Sequence, residues 1–283
     1  MTEINNEMKS VLEEIKANPE VVAIAIAGSR ASGNSDSKSD YDVYVYCNNN
    51  NHLSEEIRNS IYSKYCKEIE VGNKYFEYED NVVLNCGIPA DIIFRSLEMI
   101  KNIQKYIVDD CGARLGYTTA FWHTLMVSQI YFDKTGEFTK IQQKYNIPYP
   151  EKLRKNIITK NMKMLSGVLP SYDKQIKKAV NRNDFVSICH RTTAYIESYF
   201  DVIFALNRMT HPGEKRLVEI CKNKCSLLPK AFEENITRLY KNMYTGYDLI
   251  VLDEMYSNLK ELVDVEFNWL SFNRTTRKQF EED

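Results

Sequence analysis

Asp40 and Asp42 stand two residues apart in DYDVYVYC, directly after the loop GSRASGNSDSKS. At positions i and i+2 of a strand, both carboxylates point to one face, where they repel each other. Carboxylates are also disfavoured in strands by propensity, so a positive group should lie between them. A hard cation with oxygen ligands, such as one or two Mg²⁺ ions, satisfies that requirement. Gly28 and Ser29 supply a turn whose backbone N–H groups and hydroxyl can cradle phosphate, and Arg30 is placed to add positive charge. Asp91 opens a second apolar stretch, DIIF. If that strand lies beside the first, Asp40, Asp42 and Asp91 converge at one end of a sheet. Three carboxylates there would hold one or two Mg²⁺ ions, which would clamp a triphosphate and activate an attacking hydroxyl.

The elements that must position these groups follow from pattern. Met8, Val11, Leu12 and Ile15 recur at helical spacing, so a helix is predicted over 5–17, ended by Asn18-Pro19. VVAIAIA (21–27) reads as a buried strand. In the next strand Asp40, Asp42, Tyr44 and Tyr46 share one face, with Tyr41, Val43 and Val45 on the other. Ser54 is placed to cap a helix over 55–69. YFEYE, VVLNCG and ADIIFR, after Gly72, read as strands; helices are expected near 96–108 and from about 117. LMVSQIYFD (125–133) fits a last strand or a helix end, and DKTGEF fits a turn. Beyond Asn146-Ile147-Pro148-Tyr149-Pro150 the pattern becomes helical, over 150–169, 172–181, 184–208, 214–225, 229–243 and 247–271. The expected class is therefore α+β. A mixed sheet flanked by helices would occupy residues 1–146, and an α-helical bundle 147–283. The tail TTRKQFEED is expected to fray.

Bulk composition narrows the function. With 283 residues, 43% hydrophobic and 27% charged, the chain can bury a core. A net charge of −2 argues against a broad basic face for duplex nucleic acid. Cysteines at 47, 66, 86, 111, 189, 221 and 225 are odd in number and irregular in spacing, which fits reduced thiols in a cytoplasm. The start MTEINNEMKS has no apolar signal core and VVAIAIA is too short for a bilayer, so a cytoplasmic protein without a membrane span is expected. Cys221 and Cys225 lack a matching second pair, which favours packing over zinc.

Gly28-Ser29, ten further residues, Asp40-Tyr41-Asp42-Val43 and the later Asp91 resemble the signature of the nucleotidyltransferase, or DNA polymerase β-like, superfamily. The variety most similar is the minimal two-domain bacterial type that includes the aminoglycoside and lincosamide nucleotidyltransferases. FALNRMTHPGEKRL (204–217) resembles the corresponding segment of a bacterial group known as domain of unknown function 4037. The resemblance implies Mg²⁺-dependent transfer of a nucleoside monophosphate to a hydroxyl of a small acceptor, with release of pyrophosphate. AMP from ATP is the favoured case, and an antibiotic is one candidate acceptor. It implies Asp40, Asp42 and Asp91 as metal-binding and catalytic residues, with Asp91 a ligand or the group that takes the hydroxyl proton. Gly28, Ser29 and Arg30 would bind nucleotide, joined by Lys215 from the helical half across a cleft. The alternatives are an antitoxin-type enzyme that adenylylates a protein and a non-catalytic nucleotide or metal sensor. A protein partner or a homodimer stays open.

Other residues carry a competing structural reading. Glu68, Glu70, Glu77 and Glu79 fit surface charges or a general base, and with Asp80 they could form an acidic patch for a cationic acceptor. Asp36 and Lys38 fit a solvated loop. Trp122, Tyr195, Tyr199 and His190 fit packing and structural roles, and Asn207 a nucleotide or structural hydrogen bond.

Overall fold

The apolar stripe of the first helix is buried as its spacing requires. In the computed structural model, which describes residues 4–31, 39–48, 53–243 and 246–267, α1 spans Asn6–Lys16. Asn5 caps it, its Oδ1 accepting from Glu7 N at 2.8 Å. Met8, Val11, Leu12 and Ile15 are fully enclosed, each contributing roughly 1.5–3 kcal/mol by leaving water. They pack on the first strand, β1 (Val21–Ala27), whose seven residues are all buried. β1 runs into a single helical turn, α2 (Gly28–Ala31), and the chain returns as β2 (Tyr41–Cys47).

α3 follows over Glu55–Tyr62, with Ser54 Oγ accepting from Ile57 N at 3.4 Å. It stops seven residues short of the predicted end, and Cys66–Asn73 forms β3 instead. Ile61, Tyr65 and Ile69 are spaced for a helix, but pairing with β4 (Glu79–Leu84) decides the outcome. Gly72 lies inside β3, and of YFEYE (75–79), expected as a strand, residues 75–78 lie in the turn of this hairpin while Glu79 opens β4. β5 spans Pro89–Ser96, and α4 (Leu97–Gln104) continues as a π-helical turn over Lys105–Asp109. After α5 (Ala120–Val127) the ambiguous stretch resolves as β6 (Gln129–Asp133). A further helix, α6 (Glu137–Tyr145), follows Gly136 at φ 71°; the sequence reading assigned only a turn here. Asp133 Oδ2 accepts from Thr139 N at 2.8 Å and so ties the helix start to the strand.

The strands form one mixed sheet in the order β3-β4-β5-β2-β1-β6. Among the described residues only β2 and β5 run parallel; the other pairs are antiparallel. A parallel pair needs a crossover, which α3 and the β3–β4 hairpin supply. One face of the sheet carries Ile24, Val43, Val45, Ile92 and Phe94 beneath α1 and α3. The opposite face carries the chemistry.

The chain divides into two units, residues 1–109 with 121–148, and residues 110–120 with 149–283. The second unit is helical: α7 (Glu151–Ser166), α8 (Tyr172–Asn181), α9 (Phe185–Leu206), α10 (Leu217–Lys224), α11 (Phe232–Lys241) and α12 (Leu249–Phe267). α9 is buried on every side from Ser198 to Leu206, so it is the axis around which α7 and α8 pack. Its last carbonyls, those of Ala205 and Leu206, accept from the buried Arg154 guanidinium at 3.1 and 2.9 Å. No helix among the described residues is long and apolar enough to cross a membrane. Asp36, Lys38 and the tail lie outside the described residues.

Candidate active site

Register places the carboxylates. β2 and β5 pair with Asp42 opposite Asp91, and partners on neighbouring strands point to the same face. Asn81 of β4 stands opposite Asp91, and Ala27 of β1 opposite Asp42. One rung across the sheet therefore reads Ala27, Asp42, Asp91, Asn81. The next reads Ala25, Tyr44, Ile93, Glu79. At the far end Tyr46 packs on Phe138 of α6, ring centroids 4.7 Å apart, which closes that part of the face. The alanines on β1 leave room beside each polar partner on β2.

Gly28 closes the rung from above. It adopts φ +65°, and a Cβ built there would lie 1.8 Å from Asp42 Oδ2. Only glycine lets the turn approach the carboxylate this closely. Gly28→Ala is expected to displace Asp42 and cost about a hundredfold in turnover, since a misplacement of about 1 Å costs that much. Thermal unfolding of the variant beside its steady-state rate separates displacement from misfolding; a rate within threefold of wild type would show that the turn tolerates a side chain.

The structure brings together two of the three expected carboxylates. Asp40 lies before β2 begins, and no group of three or more His, Cys, Asp or Glu side chains is gathered for a metal among the described residues. The reason is register: two residues back from Asp42, the chain has already left the sheet. Arg30 lies against the start of β2. Its Nε donates to the carbonyls of Ser39 and Asp40, each at 3.0 Å, and its guanidinium lies 4.0 Å from the Tyr41 ring centroid. Arg30 is buried and fastens the Gly-Ser turn to the start of β2. The Ser29 side chain lies outside the described residues.

The proposed acidic patch divides. Asp80 points to the opposite face, fully buried, where it pairs with Arg58 and accepts from Tyr62 Oη at 2.7 Å. Glu77 is engaged with Arg95, whose Nε donates at 2.8 Å and whose guanidinium lies 4.1 Å from the Tyr44 ring centroid. Glu79 remains on the carboxylate face. Burial first, and then the negative charge of Asp91, hold its carboxyl above the usual range, while a hydrogen bond from Asn81 opposes them. Asp91 Oδ1 accepts from Asn81 Nδ2 at 2.8 Å. Asn81 went unnoticed in the sequence, where Asp80-Asn81 looks like a break between strands.

Residues 9–103 match the family model described as polymerase beta, nucleotidyltransferase, and residues 119–217 match the model described as a domain of unknown function, DUF4037. Residues 9–103 form a domain of the nucleotidyltransferase type. Nucleotidyl transfer is accordingly the class of reaction for this enzyme. A nucleotidyltransferase-like protein from Exiguobacterium sibiricum is similar at 10% identity over 93% of this chain and 76% of that one, with a TM-score of 0.41. An aminoglycoside 6-adenyltransferase from Bacillus subtilis aligns at 8% identity over 94% and 92%, with a TM-score of 0.32. A Thermotoga maritima CCA-adding enzyme, solved with tRNA, aligns at 10% identity over 93% and 82%, with a TM-score of 0.27. At such TM-scores the family model is the deciding observation. No curated protein matches the chain.

Within this nucleotidyltransferase, the candidates of the helical unit have structural surroundings. Asn207 Nδ2 donates to the carbonyls of Ile203 and Leu227, and its Oδ1 accepts from Leu227 N, all at 2.8 Å. Tyr195 and Tyr199 are buried and stacked, with centroids 6.3 Å apart. Arg216, at φ 57°, is engaged with Glu219, while Lys215 is exposed ahead of α10. His190 is exposed on α9. In the sheet unit, Trp122 is buried, its Nε1 donating to Tyr145 O at 3.0 Å.

Proposed function

We propose that the protein transfers a nucleoside monophosphate, AMP from ATP in the favoured case, to a hydroxyl of a small acceptor and releases pyrophosphate. The observation that carries this reading is the pairing of Asp42 with Asp91 on one rung, under a glycine turn that admits no side chain. The donor set suits Mg²⁺: hard carboxylate oxygens, side by side, on an accessible part of the sheet. Mg²⁺ keeps several waters and takes substrate phosphates, so one or two carboxylates suffice. Asp42 and Asp91 would hold it, with Asp40 adjacent, and when bound it would neutralise triphosphate charge and raise the acidity of the acceptor hydroxyl.

The remaining roles belong to the chain itself. Gly28 lets the turn come down on the carboxylate, where its backbone N–H groups can face phosphate. Arg30 holds that turn against β2. Glu79 receives the hydroxyl proton in this reading. Its proton affinity is raised by burial and by the negative charge of Asp91.

Pyrophosphate release from each of the four NTPs with Mg²⁺, against a pool of hydroxylated antibiotics, tests the reaction. Turnover with one NTP and one acceptor is expected. NTP binding without turnover on any acceptor would favour a protein substrate or a sensor instead, and absence of NTP binding would refute the site.

A further inference from the structure

Asn81 sits in a directed chain of hydrogen bonds that ends on Asp91. Its Nδ2 donates to Asp91 Oδ1 at 2.8 Å, and its Oδ1 accepts from Asn73 Nδ2 at 3.0 Å. Asn73 Oδ1 in turn accepts from Tyr75 N at 2.9 Å. The direction follows from chemistry at both ends. An ionised carboxylate only accepts, so Asn81 must turn its amide nitrogen toward Asp91 and its oxygen away. A backbone N–H only donates, so Asn73 must turn its oxygen toward Tyr75 and its nitrogen toward Asn81. Each amide has one orientation that satisfies both neighbours.

The chain starts in the β3–β4 turn, and this turn is braced. Glu77 is held by Arg95, and Tyr78 Oη accepts from Arg58 Nη2 at 2.5 Å. A fixed origin makes the far end fixed too. With one oxygen of Asp91 engaged by Asn81, the carboxylate cannot rotate freely, and Oδ2 remains for other partners.

We propose that Asn81 is a positioning residue for Asp91, oriented by Asn73, and that the pair presents Asp91 Oδ2 to the metal. The assignment rests on the transferase reading above. It goes beyond that reading by naming residues that touch neither nucleotide nor metal. Partners that orient a ligand in this way typically govern metal affinity by about 10–100-fold.

Mn²⁺ binding, followed by electron paramagnetic resonance with a non-hydrolysable α,β-methylene ATP analogue present, tests it without any acceptor. Asn81→Ala should weaken Mn²⁺ binding by about 10–100-fold. Asn73→Asp keeps the acceptor for Tyr75 N but loses the donor to Asn81, and should weaken it by a smaller factor. Affinity for the analogue without metal should stay within twofold of wild type in both variants. Asn73→Asp also guards against loss of fold in Asn81→Ala, and the circular dichroism melt of each is compared with wild type. Unchanged Mn²⁺ affinity in either folded variant would overturn the assignment, as would an equal loss of metal-free nucleotide binding. If the wild-type protein binds the analogue but no Mn²⁺, the transferase reading fails and takes this assignment with it.

Discussion

Asp42→Asn should lower the rate of pyrophosphate release by about a thousandfold at saturating NTP. Removal of one preorganised electrostatic group commonly costs 10²–10³ in turnover, and Asp42 is opposed by a second carboxylate on the same rung. Asparagine has the same shape, so the close fit beneath Gly28 is kept. The change removes the charge and turns one acceptor oxygen into an NH₂ donor. Asp42 and Asp91 repel each other in the absence of a cation, so the variant should melt at the wild-type temperature or slightly above it. A large loss of rate without loss of stability is the signature of a charge retained for chemistry. If Asp42→Asn keeps more than about a tenth of the rate, or loses both rate and fold, Asp42 is not the metal-binding group.

A second large effect belongs to the helical unit and concerns stability. Asp201 on α9 is buried, and desolvation pushes its carboxyl up to about 7 despite donors that act in the other direction. Those donors are Thr118 Oγ1 at 2.6 Å, Thr118 N at 3.1 Å and Asn161 Nδ2 at 3.2 Å. In the unfolded chain the same group titrates near 3.9. Between these values the folded state holds a proton that the unfolded state has released. The unit is therefore most stable below about pH 4 on this account, loses stability as pH rises through about 7, and is level beyond. The full span corresponds to about 4 kcal/mol. Urea unfolding at pH 5 and pH 8 should show the wild-type protein weaker at pH 8. Asp201→Asn should flatten that difference. It should be less stable than wild type at pH 5, where the native hydrogen bonds are all made, and close to it at pH 8. A variant that keeps the wild-type slope would show that some other group titrates.

The helical pattern of α1, the buried run of β1 and the alternation of β2 are local properties, and all three elements are found where the pattern puts them. The pairing of Asp42 with Asp91 was legible for a related reason: each sits at the start of a strand, after a break. What lay outside local pattern was mostly a matter of register. Asp80 and Glu79 are adjacent in sequence, yet one is buried against Arg58 on the core face and the other faces Asp91. Which goes where depends on how β4 pairs with β5, and no short window contains that information. β3 was hidden because Ile61, Tyr65 and Ile69 suit a helix as well as a strand. Asn81 carries no signal of its own; an asparagine in a strand is noteworthy only once its neighbour across the ladder is known. The contacts of Asp201 reach Thr118 across 83 residues.

The stretch 110–120 belongs to the helical unit although the sheet unit resumes after it. Its backbone is held there by Asn156 and Lys160, whose side chains donate to Cys111 O at 2.8 Å and Ala113 O at 2.7 Å, and by the Asp201 network. The polypeptide thus crosses from one unit to the other three times. Neither half is a cassette. A truncation at residue 148 would keep the sheet but strand 110–120 without the helices that bind it, leaving its main-chain polar groups to compete for water. Exchange of the helical half between relatives by a single crossover would meet the same obstacle, since three junctions in the chain must be matched together. Inheritance as an indivisible whole is built into the path of the chain.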